Sequence, residues 1–268
     1  MATTVHPTAI VARGAELGNG VQIGPYSIVD AHVTIGDECA IDSHVRICDY
    51  TTLGEGNRVH QGAVLGDLPQ DAEFQGEVSY LSIGDDNQIR EYATIHRASG
   101  EGARTVVGSH CMFMAYSHVG HNAQLGSCLS IASYAGISGH CVVEDYANLA
   151  GFTGLHQYVT VGAMAFIGGM SRVVVDVPPY CMAQGNPAEL HGLNFRGLIR
   201  RGVSEEARMA LKKAYRLLYR STLTLEEAAE RIRAEVEMSP EVEHLLAFQA
   251  AVAQGYAGRQ CDPHGARS

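Results

Sequence analysis

The chain has 268 residues, of which 46% are hydrophobic and 18% charged, with 30 glycines and no tryptophan. This balance predicts a folded protein rich in turns and excludes a disordered one. The net charge of −10 argues against nucleic acid as a partner.

The first residues contain neither a basic region nor an apolar one, so we expect no signal peptide. No apolar run approaches the roughly 18 residues of a membrane-spanning helix, so we expect no integral membrane association. The seven cysteines are odd in number and include no Cys-x-x-Cys pair, which argues against a disulfide framework or a zinc knuckle. A cytoplasmic location is the simplest expectation.

From Val5 to Val173, an aliphatic residue recurs at every sixth position. Of the 29 positions in this frame, 25 are Val, Ile or Leu and one is Phe113. The exceptions are Asp71, Glu77 and Glu101. Neither a helix nor a plain strand has this period. It is typical of a left-handed parallel β-helix, in which three six-residue units form one triangular coil.

We therefore predict a β-solenoid over residues 1–190, with about ten coils. The residue four positions after each aliphatic residue is usually small, and we expect it to point inward as well. Glycine often follows the aliphatic residue directly, as at Gly36 and Gly120. We expect these glycines to form corners that need a positive φ.

Two segments, 68–80 and 98–104, interrupt the repeat and predict loops. Insertions in a solenoid usually lie on its binding face, so we expect both loops to border a site.

A C-terminal helical domain is expected over residues 191–268. Three helices are predicted, the first capped by Ser204, the second by a capping box at Thr224–Glu227, and the third by Ser239 with Pro240. We expect the tail from Gln254 to fray. Eight Lys/Arg and only two acids lie between His191 and Arg220, which fits either an anionic partner or a solvated helix face.

Histidines cluster in the later coils. His118 and His121 are three residues apart at positions that do not point into the core, and His140 and His156 fall on neighbouring coils. Clustered imidazoles suit either a zinc site or a general base that takes a proton from a hydroxyl. Spacing alone favours the base only slightly.

Several stretches of the chain are specific motifs: Thr94-Ile-His-Arg97, Asp176-Val-Pro-Pro-Tyr180 and Arg200-Arg-Gly202, together with the pair His118-Val-Gly-His121. They resemble motifs of the acyl-(acyl carrier protein)–UDP-N-acetylglucosamine O-acyltransferases, which begin lipid A synthesis. The resemblance extends from Val5 to about Ala250.

The resemblance implies a role for each matching residue. His121 is the general base, and the Gly139 backbone N–H is the oxyanion donor. The other implied contacts are Gln70 and Asp71 with sugar or phosphate, His118 with the acyl groove, Asn122 with the base, His140, His156 and Gln157 with sugar and nucleotide, Gly169 with the acyl chain end, Asn194 with uracil, and Arg201 with diphosphate. Arg200, Lys212, Lys213 and Arg216 would form a basic surface for the acidic carrier protein.

Three positions depart from the family pattern. Asn122 stands where an acid usually follows the base, Glu73 where a Lys is usual, and Arg196 where an acid is common. The resemblance also implies a homotrimer with sites between subunits, and the chemistry requires no metal or other cofactor.

Three other functions stay open from the sequence. One is acylation or acetylation of a related nucleotide sugar, such as a 3-amino analogue. Another is zinc-dependent hydration of the γ-carbonic anhydrase type, for which no metal-ligand pattern is visible. The third is a solenoid scaffold without catalysis.

Overall fold

A computed structural model describes residues 2–263 of the chain. Within these residues, twenty-eight strands precede the helices, and most contain two residues. They are β1 Thr4–Val5, β2 Ile10–Val11, β3 Glu16–Leu17, β4 Gln22–Ile23, β5 Ile28–Val29, β6 Thr34–Ile35, β7 Ala40–Ile41, β8 Arg46–Ile47, β9 Thr51–Leu53, β10 Arg58–Val59, β11 Val64–Asp67, β12 Tyr80–Ile83, β13 Gln88–Ile89, β14 Thr94–His96, β15 Arg104–Val107, β16 Met112–Phe113, β17 His118–Val119, β18 Gln124–Leu125, β19 Ser130–Ile131, β20 Gly136–Ile137, β21 Val142–Val143, β22 Asn148–Leu149, β23 Gly154–Leu155, β24 Thr160–Val161, β25 Phe166–Ile167, β26 Arg172–Val173, β27 Cys181–Gly185 and β28 Ala188–Leu193.

The strands form three sheets that are parallel up to β27, because each strand from β1 to β23 pairs with the strand three places later in the chain, and β25 pairs with β27. Sheet A begins with β1, β4 and β7 and has 11 strands; sheet B begins with β2, β5 and β8 and has nine; sheet C begins with β3, β6 and β9 and has eight. This arrangement confirms the predicted left-handed parallel β-helix. Sheet A ends in the antiparallel hairpin β27–β28, which reaches Leu193, beyond the expected boundary at 190. The division into two domains stays a prediction.

The aliphatic positions of the frame fill the prism. Phe113, the largest of them, is fully buried. The small residues four positions later are buried as well, among them Ser27, Cys39 and Ala63. Stacking of like residues on successive coils therefore produces one continuous core, as the period predicts.

The expectation that glycine after the aliphatic residue needs a positive φ is wrong. Gly36 and Gly120 have ordinary backbone angles, but a Cβ on Gly36 would lie 2.6 Å from the carbonyl carbon of Gly54 on the next coil. Close approach between coils explains these glycines. The left-handed conformation falls instead on the third residue after the aliphatic one, such as Tyr116 (φ 61°) or Tyr134 (φ 61°).

Both insertions leave the prism at one corner. The first runs between β11 and β12, and the second between β14 and β15. Each joins sheet B to sheet C. We call this edge, where the chain passes from sheet B to sheet C, corner BC; the other two edges are corners AB and CA. Because the prism is triangular, corner BC lies opposite the outer face of sheet A.

In the described part of the chain, four α-helices follow the strands: α1 Phe195–Arg200, α2 Glu205–Tyr219, α3 Leu225–Glu235 and α4 Pro240–Ala253. The three predicted helices are α2, α3 and α4, and their N-caps Ser204, Thr224 and Ser239 are confirmed. Helix α1 was not predicted, because six residues are too few to establish a helical period. The helices share a second core with the hairpin.

The expected fraying of the tail is wrong for its described part. A short 3₁₀ helix, Gly258–Cys261, follows α4, and Asp262 beyond it is buried. The remainder of that prediction falls on residues 264–268, which lie outside the described residues. None of the helices described in residues 2–263 has the length and apolar character of a membrane span.

Candidate active site

Corner BC stacks the predicted site residues in two columns. His121, Gly139 and Gln157 occupy the second position after the aliphatic residue on three successive coils, and Asn122 and His140 occupy the third position. Asn122 and His140 have φ values of 59° and 60°. Asparagine and histidine tolerate this left-handed conformation better than most residues. The periodicity thus brings these residues together, as predicted.

Asn122 determines which nitrogen of His121 carries the proton. Its Nδ2 donates to the Ser99 carbonyl (2.9 Å), and its Oδ1 accepts from the Ser99 N–H (2.9 Å), so the amide orientation is fixed. The same Oδ1 lies 2.8 Å from His121 Nδ1. An oxygen can only accept, so Nδ1 donates and Nε2 retains its lone pair. Neutral His121 therefore presents a basic Nε2.

Gly139 lies directly against the basic nitrogen. A Cβ at this position would come within 2.7 Å of His121 Nε2, so only glycine leaves the imidazole its place. Among the described residues, the Gly139 N–H donates no hydrogen bond to a protein atom. A free N–H beside a basic imidazole suits an oxyanion that forms next to the base.

His140 closes the other side of His121. Their rings meet edge to face at 5.2 Å between centroids, and His140 stacks on Tyr158 at 4.5 Å. Burial lowers the pKa of His140, and His121 lowers it further, while Asp71 acts in the opposite direction. His140 is therefore held mainly neutral and can both donate and accept hydrogen bonds.

The first insertion brings Asp71 to this corner. A hydrogen bond from the Glu73 N–H (3.0 Å) is the main cause that lowers the pKa of Asp71, and the Ser99 side chain, His121 and His140 lower it further. Asp71 is thus an ionised acceptor near both imidazoles. Gln70 is exposed on the same loop.

His118 lies in β17 of sheet B, just before the chain turns into corner BC. Its Nδ1 is 2.8 Å from Thr94 Oγ1, and burial, with smaller effects of His96 and His121, lowers its pKa from 6.5 to about 4. His118 is therefore neutral near pH 7. The His96 ring is 5.3 Å from that of His118, and its Nδ1 donates to the Leu68 carbonyl (2.6 Å), which holds the first insertion.

Gln157 and His156 occupy the next coil above Gly139. The Gln157 side chain donates to Asp262 (3.2 Å), and His156 Nδ1 donates weakly to the Gln157 carbonyl (3.3 Å). Both side chains are half-buried. The C-terminal tail thus contacts the predicted site directly.

A separate cavity of about 420 Å³ lies over sheet A and corner CA. Its walls include Arg196, Arg200 and Arg201 beside the Tyr146 ring. The Arg201 guanidinium lies 4.4 Å above that ring. Asn194 also lines the cavity, but its side chain caps α1 by accepting from the Gly197 N–H (3.0 Å) and donates to the Met164 carbonyl (2.9 Å).

One chain does not unite all the predicted site residues. Gln70, Asp71, His118, His121, Asn122, Gly139, His140, His156 and Gln157 lie at or beside corner BC. Asn194, Arg200 and Arg201 lie over sheet A, on the opposite side of the prism. Gly169 is exposed at corner AB.

Sequence reasoning missed three residues that shape the corner, Ser99, Tyr158 and Asp262, whereas His96 belongs to the motif Thr94-Ile-His-Arg97. Counting in units of 18 would have placed Tyr158 above His140, because both fall on the same phase of the repeat. His96 anchors the first insertion through its own strand end. Ser99 and Asp262 lie outside the repeat and left no such signal.

Comparison with known proteins gives the same result at three levels. Residues 176–257 match the family model described as UDP N-acetylglucosamine O-acyltransferase, domain 2. A Thiobacillus denitrificans protein named acyl-(acyl-carrier-protein)–UDP-N-acetylglucosamine O-acyltransferase is 44% identical over 253 residues, which cover 94% of this chain and 98% of that protein. The chain belongs to this family.

Solved structures of the same family superpose closely. The UDP-N-acetylglucosamine acyltransferase of Bacteroides fragilis has a TM-score of 0.90 at 36% identity, covering 91% of this chain and 96% of that one. The Francisella novicida UDP-N-acetylglucosamine acyltransferase also has a TM-score of 0.90, at 34% identity and 98% and 96% coverage. The chain is therefore an acyltransferase, and its fold is a left-handed parallel β-helix followed by helices.

The zinc-dependent alternative gains no support. Within residues 2–263, no three His, Cys, Asp or Glu side chains of the chain converge as a metal site requires.

Proposed function

We propose that this acyltransferase transfers a 3-hydroxyacyl group from acyl carrier protein to the 3-hydroxyl of UDP-N-acetylglucosamine, the first step of lipid A biosynthesis. The observation that carries the proposal is the arrangement at His121. Asn122 fixes the imidazole with a basic Nε2, and the Gly139 N–H, which has no hydrogen-bond partner among residues 2–263, lies beside it.

In the proposed reaction, His121 Nε2 removes the proton from the sugar 3-hydroxyl as its oxygen attacks the thioester carbonyl. A sugar hydroxyl is a weak nucleophile, and such a base contributes roughly 10²–10⁴ in rate. Nδ1–H continues to donate to Asn122 while the imidazolium exists.

The attack forms a C–O bond and moves the carbonyl electron pair onto oxygen. The Gly139 N–H would donate to this oxyanion, which adds roughly 10²–10³ in rate for one well-placed donor. The C–S bond then breaks, and the imidazolium returns the proton to the leaving thiolate of the carrier protein. The products are the 3-O-acyl nucleotide sugar and the free thiol.

The neighbouring side chains suit a sugar bound at this corner. Asp71 is an ionised acceptor for sugar hydroxyls, with Gln70 exposed next to it. Neutral His140 and the half-buried His156 and Gln157 offer further polar contacts along the corner. We assign His118 to the acyl groove and Gly169 to the end of the acyl chain, as the resemblance implies.

The basic cavity over sheet A suits the nucleotide. Arginine forks fit a diphosphate, and Tyr146 offers a ring face close to Arg201. Asn194 at the cavity wall is assigned to uracil. Arg196 adds a positive charge to the wall of this cavity, at a position where an acid is common in the family.

This cavity faces away from corner BC of its own prism, so one nucleotide sugar cannot contact both within one chain. We therefore propose a homotrimer in which the face of sheet A in one subunit meets corner BC of the next. Such a head-to-tail contact closes into a ring. Light scattering is expected to give the mass of three chains.

The exposed Arg200, Lys213 and Arg216, with Lys212 beside them, are the surface we assign to the acidic carrier protein. All seven cysteines are unpaired in the structure, in keeping with the reducing cytoplasm proposed as its location.

The decisive assay incubates the purified protein with UDP-N-acetylglucosamine and a series of hydroxyacyl carrier proteins, and identifies the product by mass spectrometry. We expect an ester from the wild type and a roughly 10²–10⁴-fold loss of kcat for His121→Ala. The matched control is His60→Ala, which removes a half-buried histidine at corner AB. An amide with a 3-amino sugar, and no ester, would instead indicate the related acceptor.

A further inference from the structure

The C-terminal tail is anchored to the prism next to the proposed sugar site. We call residues 256–262 the C-terminal arm. Gly258 is a required contact point, because its φ is 81° and a Cβ would collide with the Asp176 carboxylate. The following N–H, of Arg259, donates to both Asp176 oxygens (3.2 and 3.1 Å). Asp176 Oδ1 also accepts from the Thr160 N–H (2.7 Å), which ties the arm to the last coils.

Two charged side chains of the arm contact Gln157, one at its backbone carbonyl and one at its side-chain amide. Arg259 Nη1 donates to the Gln157 backbone carbonyl (2.9 Å) and to Asp262 Oδ2 (2.6 Å). Asp262 Oδ2 in turn accepts from Gln157 Nε2 (3.2 Å). The Asp262 side chain is only 2% exposed, so this network is shielded from water. Shielded charged hydrogen bonds hold their geometry more firmly than exposed ones.

This network determines which end of the Gln157 amide faces a ligand. A carboxylate only accepts, so the Gln157 NH₂ must face Asp262. Among the described residues, Gln157 Oε1 has no hydrogen-bond donor from the protein. The amide therefore offers an acceptor, which suits a substrate hydroxyl or amide N–H and not a carbonyl or phosphate oxygen.

We propose that Arg259 and Asp262 of the C-terminal arm are positioning residues that hold Gln157 as a hydrogen-bond acceptor for a hydroxyl or amide N–H of the sugar substrate. The inference rests on the proposed function, since it takes Gln157 as a substrate contact. It adds a segment outside the repeat to the site and assigns a direction to one substrate hydrogen bond.

The test is a double-mutant cycle on the full-length chain, with Gln157→Ala, Asp262→Ala and the double variant. The matched control is Gln260→Ala, which removes an exposed side chain of the same 3₁₀ helix. The KM for UDP-N-acetylglucosamine and kcat are measured for each, with the dissociation constant of the nucleotide sugar measured separately by calorimetry. The melting temperature and the side-chain amide NMR signal of Gln157 are recorded as well.

Each single variant is expected to weaken binding of the nucleotide sugar roughly tenfold, the effect of one hydrogen bond of about 1.4 kcal/mol. The double variant should be no weaker than Gln157→Ala alone, because Asp262 acts through Gln157. Asp262→Asn should recover part of the affinity, since its oxygen can still accept. Asp262→Ala should shift the Gln157 amide signal, and Gln260→Ala should leave every readout unchanged.

The proposal is overturned if Asp262→Ala binds the nucleotide sugar as the wild type does, or if the effects of Gln157→Ala and Asp262→Ala multiply. It also fails if the loss of affinity occurs with an unchanged amide signal. A wild-type protein that binds no UDP-N-acetylglucosamine would instead contradict the proposed function. In that case, a Gln157 amide signal that shifts in Asp262→Ala still supports the hydrogen bond between Asp262 and Gln157. A Gln157 amide signal that does not shift overturns the positioning role of Asp262.

Discussion

Asn122 has two structural roles: it orients His121, and it holds Ser99 of the second insertion. It occupies a left-handed backbone position, and its amide bridges His121 to the backbone of Ser99. A carboxylate at this position would accept from both partners and add a charge that favours the imidazolium, but it could not donate to the Ser99 carbonyl. Compared with a carboxylate, the amide lacks the charge that would stabilise the imidazolium, but it forms one more hydrogen bond to Ser99, which lies in the second insertion.

Two substitutions separate these roles. Asn122→Asp should raise kcat about fivefold, because a charged acceptor strengthens the hydrogen bond to the imidazolium by about 1 kcal/mol. Asn122→Ala should lower kcat roughly 10- to 100-fold, since the imidazole loses its orientation. Steady-state kinetics on both variants checks this. A lower kcat for the aspartate variant than for the alanine variant would contradict it.

The backbone of Gly139 offers a second test at this scale. Gly139→Ala should lower kcat by roughly 10² or more, because the new methyl group occupies the place of His121 Nε2. The fold should survive, since Gly139 is not in the left-handed region. The control is Gly136→Ala, where a Cβ meets no atom within 4 Å. The two variants are compared by kcat and by melting temperature, and equal kcat values would refute the proposed role.

At the scale of elements, the period of six was sufficient to predict the sheets, the core and the alignment of His121 with Gly139. The same count could have revealed that both insertions leave from corner BC. It did not reveal why glycine follows the aliphatic residue, because the reason is a contact with the next coil. Helix α1 and the C-terminal arm were also beyond prediction: the first is too short for a pattern, and the second depends on contacts across about 100 residues of chain.

The strand that carries His118 makes stability depend on pH. Burial lowers the pKa of His118 to about 4, so between pH 6.5 and 4 the unfolded chain binds a proton that the folded chain does not. Stability from this group is complete above pH 6.5 and decreases as the pH falls toward 4. From pH 7 to pH 5, the free energy of unfolding should fall about 1–2 kcal/mol more in the wild type than in His118→Asn.

Denaturant unfolding of both proteins at the two pH values provides the measurement. The asparagine can still form a hydrogen bond with Thr94, so the two proteins differ mainly in whether residue 118 can bind a proton. Equal changes in the two proteins would show that His118 does not carry the pH dependence.

At the scale of the whole molecule, the two proposed half-sites lie on opposite sides of one prism. This predicts that two inactive variants can restore each other. His121→Ala and Arg201→Ala chains, co-expressed with different tags and purified as mixed oligomers, should regain about one third of wild-type activity, because a trimer that contains both chains unites intact halves at one of its three sites. Each variant alone should stay inactive.

Mixing the two purified homo-oligomers without subunit exchange is the control and should restore nothing. If co-expressed chains also remain inactive, the nucleotide and the base do not come from different subunits.

The common origin of the two insertions at corner BC has a consequence for how such enzymes diversify. A coil tolerates no change of length on its faces, because every later residue would move out of phase with the stack below. A loop at the corner leaves that phase intact, so its length and composition can change while the scaffold is inherited unaltered. Under the proposed function, in which the sugar binds at this corner, acceptor preference can therefore change through these short segments, independently of the repeats that determine folding.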